Sequence, residues 1–208
     1  MKISVKNGKA DKIHIYIDDE YRMTVDGTFW YSEKWHNLKD IDEEELAALE
    51  NAVNSRRAFL NGMNLLSRRA HGKKELINKL AQKHSREAAE DAVQKLEELG
   101  LIDDEKFAEA LADELLRRKK YAPRRIEAEL IMKGIDRQIA EDAVNSLDKD
   151  DFNRIILLLN SKYKNYLSDE KGLRRAQNGL FRMGYSYSDI RKALKEVAER
   201  TDEEDYYE

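Results

Sequence analysis

The chain contains no cysteine, so it forms no disulfide and offers no thiolate for catalysis or metal binding. Proline occurs once in 208 residues, at Pro123, while 38% of the residues are charged. That combination favours long amphipathic helices over a loop-rich β fold. No run approaches the ~20 apolar residues of a membrane helix. The opening MKISVKNGKADK also lacks the apolar segment of a secretory leader. These absences point to the cytoplasm and to no membrane contact. Nucleotide-binding and zinc-protease signatures are missing too: there is no G-x-x-x-x-G-K-S/T, no dinucleotide fingerprint and no H-E-x-x-H. The four histidines, His14, His36, His71 and His84, do not stand at metal-ligand spacings. Asp103-Asp104 admits two readings, a magnesium-binding carboxylate pair or a helix cap. Their position between two helical stripes favours the cap. No convergent acid/base constellation is visible, so the chain is read as a non-enzyme with no cofactor and no metal.

Charge is present but unevenly placed. Residues 1–50 carry net −5, residues 51–200 net +6 and residues 201–208 net −5. The acidic ends mask a basic middle, and a basic middle fits an acidic or phosphate-rich partner.

The middle is repetitive. Lys73-Lys74-Glu75-Leu76 recurs about 50 residues on as Pro123-Arg124-Arg125-Ile126, and again as Leu173-Arg174-Arg175-Ala176. Leu80, Leu130 and Leu180 keep the same spacing. Lys83-His84, Lys133-Gly134 and Met183-Gly184 close each copy. A fixed period means stacked copies of one supersecondary unit, here carrying positive charge at regular steps.

The organisation expected is mainly α: an elongated, curved array of three tandem three-helix repeats behind a small N-terminal β extension. Residues 1–41 hold the extension, where Ile3/Val5, Ile13/Ile15/Ile17 and Tyr21/Met23/Val25 alternate as strands. Asn7-Gly8 and Asp18-Asp19 mark the turns, and Phe29, Trp30, Tyr31 and Trp35 supply a packing surface. Asp42 with Glu45 resembles a capping box opening a linking helix over 42–55, which is able to run on into the first repeat. The repeats span 56–102, 103–149 and 150–200, followed by an acidic disordered tail, 201–208. Their helical stripes are Phe59/Met63/Leu66/Ala70, Leu76/Ile77/Leu80 and Ala89/Val93/Leu96/Leu99 in the first copy. In the second they are Phe107/Leu111/Leu115, Ile126/Leu130/Ile131 and Ile139/Ala143/Val144/Leu147. In the third they are Phe152/Ile155/Ile156/Leu159, Ala176/Leu180/Phe181 and Ile190/Leu194/Val197. Gly100, Gly134 and Gly184 fall at helix ends. Tyr163 and Tyr166 read as core.

Four stretches together carry a family resemblance: LLSRRAHGKKELINKL (65–80), GLIDDEKFAEALADELLRRKK (100–120), APRRIEAELIMKGIDRQIAEDAV (122–144) and LRRAQNGLFRMGYSYSDIRKAL (173–194). They resemble the RecX regulatory proteins, partners of the bacterial RecA recombinase. The third repeat departs from the pattern, with Met183 where the other copies have Lys83 and Lys133. The resemblance implies a curved repeat body lying in the helical groove of RecA–DNA filaments and lowering recombinase and coprotease activity. A monomer with some affinity for single- or double-stranded DNA alone is also expected.

The candidate contacts to a filament or to DNA are Arg68, Arg69, Lys73 and Lys74, then Arg117, Arg118, Lys119, Lys120, Arg124 and Arg125, then Lys133, Arg174 and Arg175. Residues 117–125 hold six positive charges and no acid, the densest cluster. The competing reading is a solvated face paired with local acids such as Glu75, Glu114 and Glu127. Lys133 serves equally well as a contact or as a helix C-terminal cation. Tyr121 fits base stacking or repeat packing. An alternative function is a free-standing single-stranded nucleic-acid-binding module. The third helices, with Glu87, Glu90, Asp91, Glu97 and Glu98 in one copy and Glu141 and Asp142 in the next, are too acidic to enter a major groove.

Overall fold

The computed structural model describes the backbone of residues 1–148 and 150–207 and the side chains of 1–148 and 150–199. The chain divides into two compact units, Met1–Ile102 and Asp103–Glu208.

The first unit opens with β1 (Ile3–Asn7), β2 (Lys12–Ile17) and β3 (Glu20–Asp26), paired antiparallel in chain order. Asp18 and Asp19 are both left-handed (φ 49° and 65°) and join β2 to β3 as a two-residue hairpin loop. That backbone matches the strand twist, and Asp tolerates it. One sheet face buries Ile3, Ile13, Ile15, Ile17, Met23 and Val25 against Phe29, Trp30, Trp35 and Ile41. Tyr31, expected in the packing surface, is instead 60% exposed, because α1 (Gly27–Ser32) turns it outward.

Asp26 ends β3 and caps α1, accepting from the Phe29 amide at 3.0 Å. The same carboxylate receives Arg56 Nη2 at 2.8 Å and Nε at 2.9 Å. The Arg56 hydrogen bonds hold the Asp26 carboxyl below its usual range. A depressed folded pKa contributes stability that is present above the unfolded value, about 3.9, and lost as pH falls through the folded one. The stability gap between the native chain and Asp26→Asn should therefore be full at pH 7 and shrink below about pH 4. Thermal unfolding of both across that range checks it.

α2 (Glu43–Leu66) starts at Asp42, whose side chain accepts from the Glu45 amide, with Glu43, Glu44 and Glu45 in the first turn. No glycine or proline interrupts it between Leu49 and Ala58, so the expected boundary at 55/56 falls inside one continuous helix. Leu49 and Val53 close the sheet core. Ala58 belongs to the next core, with Leu76, Ile77 and Leu80 of α3 (Lys73–Leu80) and Ala88, Ala89, Ala92, Val93 and Leu96 of α4 (Arg86–Glu98). Ala58 and Gly62, not Phe59 and Met63, are the fully buried positions. Small residues there let α2 and α4 approach closely and leave the larger neighbours half-buried or exposed.

The second unit runs α5 (Asp104–Glu114), a π-helical turn Leu115–Lys119, α6 (Pro123–Met132), α7 (Arg137–Asn145), α8 (Asp151–Asn160), a 3₁₀ turn Lys164–Tyr166, α9 (Glu170–Arg182) and α10 (Tyr187–Tyr207). Asp103 caps α5 and Asp136 caps α7, as their spacing suggests. Ala108, Ala112 and Leu116 are the buried stripe of the first helix, one residue on from Phe107, Leu111 and Leu115. Ile131 (41% exposed), Phe181 (57%) and Tyr166 (41%) lie on the surface, against their assignment to the core, whereas Tyr163 is buried. Gly100, Gly134 and Gly184 all adopt positive φ (68°, 91° and 96°). Each glycine amide bonds three residues back, and the next amide reaches five back, the double closure of a Schellman turn. Where a disordered tail was expected, the backbone of α10 stays helical to Tyr207. The tail's side chains lie outside the described residues.

Candidate partner-binding groove

The candidate cations divide by environment. In the first unit, Arg69 is held by Glu75 (2.6 and 3.3 Å) and Lys73 by Glu97 (2.6 Å), whereas Arg68 and Lys74 are exposed. His71 is buried beside Glu75, and burial pushes its pKa down against the opposing pull of Glu75. In the second unit, Arg117 pairs with Asp113 (2.7 Å), Arg118 with Glu114 (3.1 Å) and Arg174 with Glu170 (2.6 Å), each one turn away on its own helix. Arg125 is held by Glu129 and sits 5.6 Å above the Tyr121 ring. Lys119, Arg124, Lys133 and Arg175 are exposed, and Lys120 is half-buried. Exposed pairs of this kind are worth only about 0–1 kcal/mol, so they leave the cations able to change partner.

The repeated basic step does not sit alike in the three copies. It falls in the first turn of α3 (Lys73, Lys74) and of α6 (Arg124, Arg125), but one turn inside α9 (Arg174, Arg175). First-turn cations oppose the helix dipole. Neither α3 nor α6 has a side-chain cap. Local propensity is thus overridden twice at the same place, which is typical of functional positions.

Three of the candidates, Lys119, Arg124 and Arg125, line one groove of about 700 Å³ within the second unit. Arg117, Arg118, Lys120, Lys133, Arg174 and Arg175 do not line it, and Arg68, Arg69, Lys73 and Lys74 belong to the first unit. Lys119, Tyr121, Arg124 and Arg125 form one wall, while Lys162, Phe181 and Arg182 form the other. No carboxylate lines it. Its floor is Tyr163, Met183 and Tyr185, all buried. An apolar floor beneath five cations raises the positive potential above it. Lys162 Nζ lies 5.2 Å over the Tyr163 ring, which steadies it at the rim.

The walls are tied by backbone. The Ala122 amide donates to Met183 O at 2.9 Å, and Tyr185 Oη donates to Lys120 O at 2.6 Å. Burial pushes the Tyr185 phenol up to about 12, so it stays a donor throughout the physiological range. Lys120 is left-handed (φ 55°) and follows the π-helical turn, so the chain reverses abruptly into α6 and places Lys119 and Arg124 on the same rim. Gly184 passes so close that a Cβ on it would lie 2.6 Å from Arg125 Cβ and 2.9 Å from Arg125 N.

Lys119, Arg124 and Arg125 were legible as candidates; Lys162 and Arg182 were not. Lys162 lies in the 161–169 connection, which is longer than the 67–72 and 120–122 connections at the same place in the other copies, and Arg182 precedes Met183, where the lysine pattern breaks. Among the described residues, no acidic or histidine cluster could hold a metal ion, and no helix is long and apolar enough to cross a membrane.

Two family models match, "RecX, first three-helix domain" over residues 58–96 and "RecX, second three-helix domain" over 103–144. The regulatory protein RecX of Finegoldia magna is 35% identical over 137 residues, covering 65% of this chain and 67% of that protein. That of Caldanaerobacter subterraneus subsp. tengcongensis is 28% identical over 192 residues, covering 91% and 95%. A crystal structure of regulatory protein RecX superposes with a TM-score of 0.72 over 94% of this chain and 98% of that one, at 22% identity. RecX from Lactobacillus salivarius superposes at 0.59 over 70% and 97%, at 26% identity. The match extends through the sheet as well as the repeats, and on these grounds the chain belongs to the RecX family of regulatory proteins.

Proposed function

We propose that this protein binds RecA–DNA filaments and lowers recombinase and coprotease activity by occupying the filament's helical groove. It acts in the cytoplasm, as a monomer, and catalyses no reaction itself. The observation that carries this reading is the acid-free groove between α6 and α9, rimmed by Lys119, Arg124, Lys162 and Arg182. A nucleoprotein filament repeats phosphate and carboxylate along its length. Several modest contacts on one body add through effective concentration. Inhibition then follows from differential affinity: the protein favours the filament state in which its cations reach their partners. Arg125 lines the same groove; Arg117, Arg118, Lys120, Lys133, Arg174 and Arg175 in the second unit, and Arg68, Arg69, Lys73 and Lys74 in the first, are further candidate contacts.

The test titrates the protein onto RecA assembled on single-stranded DNA with a slowly hydrolysed nucleotide, beside the same DNA bare, with ATP turnover followed in parallel. Tight filament binding, weak binding to bare DNA and falling turnover are expected. Replacing Arg124, Lys162 and Arg182 together with Ala should weaken filament binding about tenfold or more and lower the salt slope by about one per cation removed. Replacing Arg117, Arg118, Lys119 and Lys120 with Ala should weaken it as well, with unfolding unchanged because all four side chains reach solvent. Unaltered affinity in both variants would dismiss the groove. Equal affinity for bare DNA with no effect on turnover would favour the nucleic-acid module.

A further inference from the structure

The groove leaves the outer face of the β-sheet unused, and that face is built in an unusual way. Ile15 pairs with Met23, but the next cross-strand pair is Tyr16 with Tyr21, so the register shifts and Arg22 becomes the extra residue of a β-bulge. In a regular strand Tyr21 would alternate with Met23 and Val25 and enter the core. The bulge turns it to the outer face, where it is 59% exposed. Arg22 is sent instead to Glu50 of α2.

On the outer face Tyr21 stands edge-on to Tyr16, with centroids 5.9 Å apart, and to His14 at 6.2 Å. Thr24 Oγ1 fixes both neighbours, meeting His14 Nδ1 at 2.7 Å and Tyr21 Oη at 2.9 Å. Lys6 Nζ lies 4.5 Å above the Tyr16 ring, leaving Tyr21 as the open aromatic surface. Lys6 and Lys12 are exposed on the same face. Of the nearby acids, Asp26, opposite Lys12, is held by Arg56, and Asp18 accepts from the Lys2 amide, whereas Asp11 next to Lys12 and Asp19 and Glu20 next to Tyr21 are exposed and bound the path a phosphate can take.

An exposed, hydrogen-bonded tyrosine with Lys6 over the neighbouring Tyr16 ring, and Lys12 four residues further along β2, is suited to stack a base while the lysines meet phosphates along the same strand. We infer that this face is a platform for single-stranded nucleic acid, with Tyr21 as the stacking ring and Lys6 and Lys12 as phosphate contacts. The site is independent of the groove in the second unit.

The test uses the full chain and an oligothymidylate carrying 5-iododeoxyuridine. It is run in the native protein and in a Lys162→Ala, Arg182→Ala background, so that the groove does not mask the result. Photocrosslinks on Tyr21 are expected. Tyr21→Ala should weaken binding about tenfold or more, and Tyr21→Phe, which keeps the ring, should retain it. Lys6→Ala with Lys12→Ala should reduce the salt slope by about two. Crosslinks confined to the second unit, or a Tyr21→Ala affinity equal to native, would overturn the inference. So would a Tyr21→Ala defect seen only on RecA-coated strands, which would make the face a protein contact.

Discussion

Leu130→Ala is expected to remove about 2–5 kcal/mol of folding stability. Leu130 is fully buried on α6, packed among Ala108, Ala112, Ile126, Ile135 and Ala140. Three of those neighbours are alanines, which cannot reach into the space a lost isobutyl group leaves, so the cavity cost adds to the transfer cost. The Leu130 carbonyl also receives the Ile135 amide that closes the turn after α6, so loosening this residue reaches the start of α7. The adjacent Ile131→Ala is the control. It is 41% exposed and should cost under about 1 kcal/mol. Chemical denaturation of both variants decides the matter: a Leu130→Ala loss below about 0.5 kcal/mol would show that the second unit is not organised around this stripe.

Gly184→Ala is expected to cost about 2–4 kcal/mol and, on the function proposed above, to weaken filament binding as well. Two effects combine. The φ of 96° is unfavourable for any residue with a Cβ, and the new methyl would meet Arg125 main-chain atoms, which cannot swing aside. Relief requires α6 to move away from the Met183–Tyr185 turn, stretching the Ala122–Met183 and Lys120–Tyr185 hydrogen bonds that set the groove's width. Gly100→Ala separates the two effects. It shares the left-handed backbone, yet nothing lies within 4 Å of its added Cβ, so only the conformational cost of about 1–2 kcal/mol should appear. Equal losses at Gly100 and Gly184 would mean that the close approach to Arg125 contributes nothing.

Much of this architecture is visible in the residues alone, because local rules and tertiary packing agree there. Strand alternation at Ile13, Ile15 and Ile17, the capping aspartates 42, 103 and 136, and the glycines at 100, 134 and 184 all report constraints that act over a few residues. The helix–helix contacts are less legible. The eye favours Phe59, Met63, Phe107 and Leu111, but closely packed helices bury Ala58, Gly62, Ala108 and Ala112 and leave the larger side chains at the margin. Phe181 and Ile131 each follow a fully buried leucine, Leu180 and Leu130, and the next residue on an α-helix is turned about 100° away from the core. The groove is half legible. Its α6 wall lies in a dense basic run, while Lys162 and Arg182 are isolated charges some 40 to 60 residues away, brought in by the connection before α9. The bulge that exposes Tyr21 is invisible in an alternating pattern that reads as a regular strand.

α2 has a consequence for how the first unit can vary. Its 24 residues serve two cores at once, the sheet through Leu49 and Val53 and the helical bundle through Ala58. Successive residues on an α-helix are set about 100° apart. Inserting or deleting one residue between Val53 and Ala58 would rotate one hydrophobic face out of its core while the other stays in place. The length of that stretch is therefore under a phase constraint, and a change close to a whole number of turns, such as about seven residues for two turns, is needed to keep both faces aligned. The sheet is geared to the bundle, and the two should melt in a single transition.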